Sequence, residues 1–108
     1  MNYTKSMIDT NHYTIIYDNS QRSLMYLREG GSYSFLCEDR GPDDHDVRAY
    51  QEIIVPANDL EEAIDIPSSE VSSIKEKMTL LFGNCDGFEN FVSFCDQNKI
   101  ETMTLFWD

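Results

Sequence analysis

The dipeptide Gly30-Gly31 constrains the fold most strongly, because it joins two segments of alternating pattern, "SLMYLRE" and "SYSFLC". Alternation at a period of two residues is typical of a strand with one buried face. Both glycines tolerate a positive φ, which a two-residue hairpin turn requires. The sequence therefore predicts an antiparallel hairpin at this point. Within the first segment Leu24 and Tyr26 alternate with Met25 and Leu27, and within the second Tyr33, Phe35 and Cys37 alternate with Ser34 and Leu36.

Three further segments have strand character. "HYTIIYD" precedes the hairpin, and strict alternation places Tyr13, Ile15 and Tyr17 on one face. "YQEIIVP" follows the hairpin and ends at Pro56, and "ETMTLFWD" comes last. Because a lone strand cannot satisfy its backbone hydrogen-bonding groups, we expect the last segment to join the same sheet.

The chain between Pro56 and the last strand has helical patterns instead. "NDLEEAID" predicts a short helical turn, and "SSEVSSIKEKMTLLFG" predicts a longer helix. "DGFENFVSFCDQN" predicts another helix, in which Asp86 precedes Glu89 by three residues, as in a capping box. The apolar positions expected to face the core are Val71, Ile74, Met78 and Leu81 in the former helix, and Phe88, Phe91, Val92 and Cys95 in the latter.

These elements predict an α+β fold in one domain that spans residues 1–108. We expect a mainly antiparallel sheet of about five strands, with two helices packed on one face. A chain of this length buries about two-thirds of its surface on folding, which is enough for one core without disulfides or metal.

The charge of the chain is strongly negative and unevenly placed. Twenty acidic residues outnumber eight basic ones, which gives a net charge of -12. Residues 38–70 hold eleven of the acids and two of the bases, whereas residues 1–37 hold three of each. Direct binding to nucleic acid or to an anionic membrane is disfavoured, because phosphate contacts need Lys and Arg. A concentrated acidic segment favours a cationic partner.

Cysteine usage and the N-terminal segment predict a cytoplasmic protein. The three cysteines, Cys37, Cys85 and Cys95, are an odd number without a C-x-x-C spacing, which favours reduced thiols. The segment "MNYTKSMIDTNHYTIIYD" lacks the basic and apolar regions of a signal peptide. No run of apolar residues approaches the length of a membrane span.

The segment "CEDRGPDDHD" holds most of the residue types that could bind a metal or carry out catalysis. It does not match the ligand spacing of an EF-hand loop, and a zinc site would need ligands from distant segments. Cys37 and His45 are close in sequence, but Cys37 is expected to point into the core, where a thiol is inert. We therefore predict no enzymatic activity, no cofactor and no metal. A small acidic metal-binding regulator stays open as an alternative.

Acidic residues gather on both sides of the strand "YQEIIVP". Clustered carboxylates repel one another and destabilise the fold, and a cationic partner relieves that repulsion while being steered towards the surface. We therefore predict a partner-binding surface. Its residues are Glu38, Asp39, Asp43, Asp44 and Asp46 before the strand, and Asp59, Glu61, Glu62 and Asp65 after it.

In size, in the acidic segments "CEDRGPDDHD" and "NDLEEAID", and in the closing unit "FENFVSFCDQNKIETMTLFWD", the chain resembles small bacterial immunity proteins. Those proteins neutralise the nuclease toxins of rival-killing systems such as contact-dependent growth inhibition. The closing unit and the acidic face are also similar to barstar-like ribonuclease inhibitors. The resemblance implies binding to a cognate basic toxin, with no direct contact to nucleic acid or membrane.

The implied mechanism places carboxylates where a nuclease holds phosphates, because a nuclease active site is cationic. Asp39, Asp43, Asp44 and Asp46 are the first contacts that it implies, and Glu61, Glu62 and Asp65 the second. The alternative that would use the same acidity is a nucleic-acid-mimicking inhibitor from a phage or mobile element. The sequence leaves open the identity of the partner, the oligomeric state, and whether the active site or an exosite is bound.

Overall fold

The sheet contains five antiparallel strands in the order of the chain. A computed structural model describes residues 10–40, 48–65 and 73–107, with the side chains of residues 40, 48 and 107 outside the description. Each strand pairs with the next, so the sheet is a meander of order β1-β2-β3-β4-β5. The strands are β1 Thr14–Asp18, β2 Arg22–Glu29, β3 Ser32–Arg40, β4 Arg48–Pro56 and β5 Met103–Trp107. The α+β class and the five-stranded antiparallel sheet are confirmed.

Three α-helices lie between β4 and β5 in the described residues, one more than the two expected. They are α1 Ala57–Ala63, α2 Ile74–Phe82 and α3 Gly87–Gln97, and a 3-10 turn at Thr10–His12 precedes β1. The segment expected to form only a helical turn, "NDLEEAID", is the helix α1. It is stabilised because its apolar side Ala57, Leu60 and Ile64 packs into the core.

The predicted hairpin joins β2 to β3. Glu29 pairs with Ser32, and Gly30 between them has φ +62, a conformation that glycine adopts without a Cβ penalty. Leu24, Tyr26, Tyr33, Phe35 and Cys37 all belong to the buried core under the helices. The alternation predicted within each strand is therefore confirmed, and the pairing of Tyr26 with Phe35 brings the two buried sets onto one face.

The alternation expected for β1 is wrong because the strand contains an irregularity. Ile15 pairs with Met25, but Tyr17 rather than Ile16 follows in the register, as in a β-bulge. Ile16 is 7% exposed in the core and Tyr17 packs against the core, whereas Ile15 is 51% exposed. The extra residue moves Ile15 and Tyr17 onto different faces.

Phenylalanine side chains form the centre of the core. The ring of Phe35 in β3 stacks on Phe91 of α3, with 4.2 Å between ring centroids, and Phe82 of α2 meets both rings edge-on at 6.0 and 5.1 Å. Such stacked and edge-to-face pairs add to the gain from burial. The sheet, α2 and α3 are therefore held together by one aromatic cluster.

The helical stripes are confirmed in part. Ile74, Met78, Phe88, Phe91 and Cys95 are buried as expected, and Val71 lies outside the described residues. Leu81 is 38% exposed, because Phe82 continues the spacing of four that begins with residues 74 and 78.

Val92 is exposed rather than inward, and the expected capping box at the start of α3 is absent. Val92 is 45% exposed on the side of α3 that faces the last strand. Asp86 is the N-cap of α3 but makes no side-chain capping hydrogen bond. The Glu89 side chain binds Arg22 instead.

Replacing Phe91 by alanine should lower the free energy of unfolding by about 3–5 kcal/mol, because it leaves a cavity against Phe35 and Phe82. The matched control is Phe106→Ala, which removes a side chain that is 73% exposed and should cost less than about 1 kcal/mol. Urea unfolding followed by circular dichroism measures both. Equal losses would show that the aromatic cluster does not dominate the core.

Candidate partner-binding surface

Glu38 and Asp39, the first residues of the predicted surface, lie in strand β3 rather than in a loop. The Glu38 side chain is buried, at 7% exposure, and accepts a hydrogen bond of 3.1 Å from the Tyr50 hydroxyl. Asp39 is an ion-pair partner of Arg22. Asp43, Asp44 and Asp46, and also His45, lie outside the described residues.

Arg22 fastens the beginning of α3 to the sheet. Its Nε and Nη2 donate to the two oxygens of Asp39 at 2.7 and 3.2 Å, and Nη1 donates to Glu89 and to the Cys85 carbonyl at 3.1 and 2.9 Å. These contacts raise the pKa of Arg22, chiefly through the hydrogen bonds to Asp39. Bidentate pairing of this kind is strong and geometrically specific. Asp39 is thereby engaged within the chain.

Glu61 has the corresponding role for α1. It is 8% exposed, and its Oε2 accepts hydrogen bonds from the Tyr33 hydroxyl at 2.6 Å and from Arg28 Nε at 2.8 Å. Burial alone would raise the pKa of Glu61, but these two hydrogen bonds and the charge of Arg28 lower it. The same contact raises the pKa of Tyr33, after burial as the larger cause. Glu61 therefore holds α1 on the sheet and is removed from the exposed surface.

The remaining acids of α1 point outward because Glu61 and the apolar residues face inward. Asp59 and Glu62 are exposed and lie three residues apart, on neighbouring turns of one helix side. Asp65 follows the helix, is exposed, and has φ +61. Of the second predicted cluster, three residues are therefore available to a partner.

Asp59 and Glu62 line a groove between α1 and the end of α3, which we call the α1–α3 groove. Its volume is about 450 Å³, and its other lining residues are Ala63, Asn98, Lys99 and Ile100. The last turn of α3 contains no basic residue, so the negative end of the helix dipole is not offset there. The charged side chains that line the groove are the two carboxylates of Asp59 and Glu62 and the single ammonium group of Lys99.

A second groove, the α3–β5 groove, adjoins the first at Ile100. Its volume is about 280 Å³, and its lining combines apolar side chains with hydroxyl groups and one carboxylate. The lining residues are Ile53, Val92, Ser93, Cys95, Asp96, Ile100, Thr102 and Thr104. The groove therefore lies between α3 and the strands β4 and β5.

Both grooves lie at one end of the molecule, which we call the acidic end. Its carboxylates belong to Asp59, Glu62, Asp96 and Glu101. Beside them, Val92 and Met103 are exposed by 45 and 60%. Exposed apolar side chains within a charged rim are typical of protein interfaces. Sequence reasoning missed Asp96 and Glu101, because only the tertiary fold places Asp96 on the α3–β5 groove and Glu101 beside the end of β4.

The described residues of the two predicted clusters lie at opposite ends of the sheet. Asp39 is near the end of β3, and Asp59 follows the end of β4, so the nine residues of β4 separate them. At about 3.3 Å per residue, this corresponds to roughly 26 Å. The described residues of the two clusters therefore do not form one continuous acidic face.

The face of the sheet opposite the helices carries a separate polar group. The Tyr13 hydroxyl lies 3.1 Å from Ser34 Oγ, and the Ser34 hydroxyl donates to the carboxylate of Glu52. Burial raises the pKa of Tyr13. Because Tyr13 precedes β1 and Ser34 belongs to β3, this contact crosses β2. The carboxylate of Glu52 is therefore already hydrogen-bonded within the chain.

Cys37 is buried in the core, as expected. It is fully buried on the helix side of β3, and burial together with the neighbouring charge of Asp39 raises the pKa of its thiol to about 12. A thiol in this state is a poor nucleophile at neutral pH. The expectation that Cys37 points inward is confirmed.

Nothing in the described residues indicates a metal centre or a membrane-spanning helix. No three His, Cys, Asp or Glu side chains in residues 10–40, 48–65 and 73–107 are grouped so that they could hold a metal ion. None of the helices in those ranges is long and apolar enough to cross a bilayer. In comparisons with known proteins, no family model, no curated protein and no solved structure matches this chain.

Glu61 should contribute to stability above about pH 4.5, its ordinary pKa, and lose that contribution as the pH falls through its lower folded-state pKa. Unfolding free energies measured by urea titration between about pH 6 and 3 should therefore fall less steeply in Glu61→Gln than in the wild type. Glu62→Gln, which alters an exposed carboxylate on the next residue, should retain the wild-type slope. Identical slopes in all three proteins would contradict the role of Glu61.

The three thiols should differ sharply in reactivity. Cys85 is exposed, whereas Cys37 and Cys95 are buried and burial raises the pKa of Cys95 to about 11. We expect a chromogenic disulfide reagent at neutral pH to modify one thiol of the folded protein rapidly and the other two only after unfolding. Rapid reaction of a second thiol in the folded protein would contradict this placement.

Proposed function

We propose that this chain is an immunity-type inhibitor that binds a cationic protein, a nuclease toxin, through its acidic end. The observation that carries the proposal is the arrangement of α1. Glu61 anchors the helix through Arg28 and Tyr33, and the anchored helix presents Asp59 and Glu62 on the α1–α3 groove. The carboxylates are thereby preorganised for an incoming cation.

The distribution of basic residues supports the proposal. Arg22 and Arg28, two of the eight bases, each hold carboxylates that are buried or half-buried within the chain. Their charges therefore stabilise the fold instead of neutralising the acidic end. A surface with an excess of carboxylates steers a cationic protein during diffusion and accelerates association.

The chemistry of a nuclease fits this surface. Nucleases hold phosphates with cationic side chains, and a rigid pair of carboxylates can occupy the same positions. Rigidity matters because a preordered surface does not lose conformational freedom on binding. The predicted contacts Asp43, Asp44 and Asp46 lie outside the described residues and stay predictions of the sequence.

The test needs a cognate nuclease, which we expect to be a basic toxin domain encoded beside the gene for this chain. The purified chain should form a stoichiometric complex with that domain and abolish its cleavage of nucleic acid. The double variant Asp59→Lys/Glu62→Lys should bind about tenfold to a hundredfold more weakly, because like charges across an interface cost several kcal/mol. The affinity of this variant should also depend less on salt.

The matched control is Glu76→Lys/Asp86→Lys, which changes the net charge equally at exposed positions of α2 and α3 away from the α1–α3 groove. Thermal unfolding of both variants separates lost binding from lost folding. If the two double variants bind the nuclease domain equally weakly, binding depends on net charge alone. Full cleavage activity in the presence of excess wild-type chain would refute the proposed function.

A further inference from the structure

The outer edge of β5 differs from the outer edge of β1, although both strands lie at the borders of the sheet. β1 contains the bulge at Ile16, ends in Asp18, and lies against the end of α2. A Cβ at Gly83 would come within 3.0 Å of the Ile16 carbonyl oxygen. Bulges, charges and covering elements are the means by which proteins prevent a strand from being added to an edge.

β5 has none of these protections within its described residues. It pairs with β4 in unbroken register from Met103 to Trp107, and its sequence "MTLFW" carries no charge. Alternate residues of such a strand direct their N–H and C=O groups away from the sheet. Met103 is 60% exposed and Phe106 is 73% exposed, so both faces of the strand offer apolar contact.

We infer that β5 is the docking edge for an extended, basic strand of the partner, which adds a sixth strand to the sheet. The inference rests on the proposed function and specifies how the cationic partner binds. Main-chain hydrogen bonds to the β5 edge provide affinity, and pockets for alternate side chains provide specificity.

The α3–β5 groove identifies the chemistry of those alternate side chains. A strand added beside β5 places every second side chain on the helix side of the sheet, next to this groove. Ile53 and Val92 offer an apolar wall, and the carboxylate of Asp96 lies on the same groove. This combination fits a lysine or arginine, whose aliphatic stem packs on apolar surface while the charged head binds a carboxylate.

Charge also distinguishes this occupant from a second copy of the chain. Two copies joined at β5 would bring together two molecules of net charge -12, each with Asp96 and Glu101 near the contact. Like charges at an interface are unfavourable, whereas a basic strand meets both carboxylates with opposite charge. The observations therefore favour a basic partner strand over self-association.

The probe for the test is a blocked peptide of about nine residues, the length of a long strand. In this peptide, every second residue is lysine, and the residues between the lysines are valine or threonine. Titrated into the isotopically labelled chain, it should shift and protect the backbone amides of β5 in NMR spectra. A peptide of identical charge, N-methylated on the amides of one edge, keeps the lysines but loses at least three hydrogen bonds. It should bind at least about tenfold more weakly.

Variants of the chain test the groove. Asp96→Asn should weaken binding of the unmodified peptide about two- to fivefold, the range of a partly exposed ion pair. Asp86→Asn, an exposed aspartate at the opposite end of the same helix, should leave the affinity unchanged. Equal affinities of the wild type and the Asp96→Asn variant would overturn the assignment of the lysine to the groove.

The other outcomes separate this inference from the proposed function. If both peptides bind equally and shift only amides of α1, strand addition is wrong while the acidic end keeps its role. If neither peptide binds although the nuclease domain does, strand addition is equally wrong. Concentration-dependent shifts of β5 amides in the chain alone would identify a second copy as the occupant. Failure of the nuclease domain to bind refutes the proposed function itself.

Discussion

The two arginines of β2 determine how the helices sit on the sheet. Arg22 at the beginning of the strand binds Asp39 and Glu89, and so holds the beginning of α3. Arg28 near its end binds Glu61, and so holds α1. Each contact bridges residues that are far apart in sequence. Because a charge that is left buried without a partner is costly, each pair fixes one arrangement of helix and sheet.

The acidic end follows from this arrangement. α1 can present Asp59 and Glu62 only because the intervening Glu61 turns inward to Arg28 and Tyr33. At 3.6 residues per turn, the helix directs Leu60 and Glu61 towards the core while Asp59 and Glu62, three residues apart, stay exposed. Neighbouring carboxylates of the same chemical type thus have different roles, one in folding and two on the surface.

Sequence patterns predict the local elements of this fold and miss what depends on distant partners. The hairpin at Gly30-Gly31 follows from turn chemistry and alternation, which are both local. The bulge in β1 leaves no trace in "HYTIIYD", because an extra residue does not interrupt an apolar pattern. In the sequence, Glu61 cannot be distinguished from the other acids of its cluster, because its partner Arg28 lies in another element. The grooves could not be predicted, because they are spaces between elements.

The position of β5 in the chain has a consequence for how the sheet is completed. β4 and β5 are neighbours in the sheet, but Ile54 and its partner Met103 are separated by all three helices. Closing so long a connection costs conformational entropy before the pairing can contribute any stability. β5 is therefore expected to join the sheet late in folding. Until then β4 is the border of the sheet, and the β5 edge proposed to bind a partner strand is not yet in place.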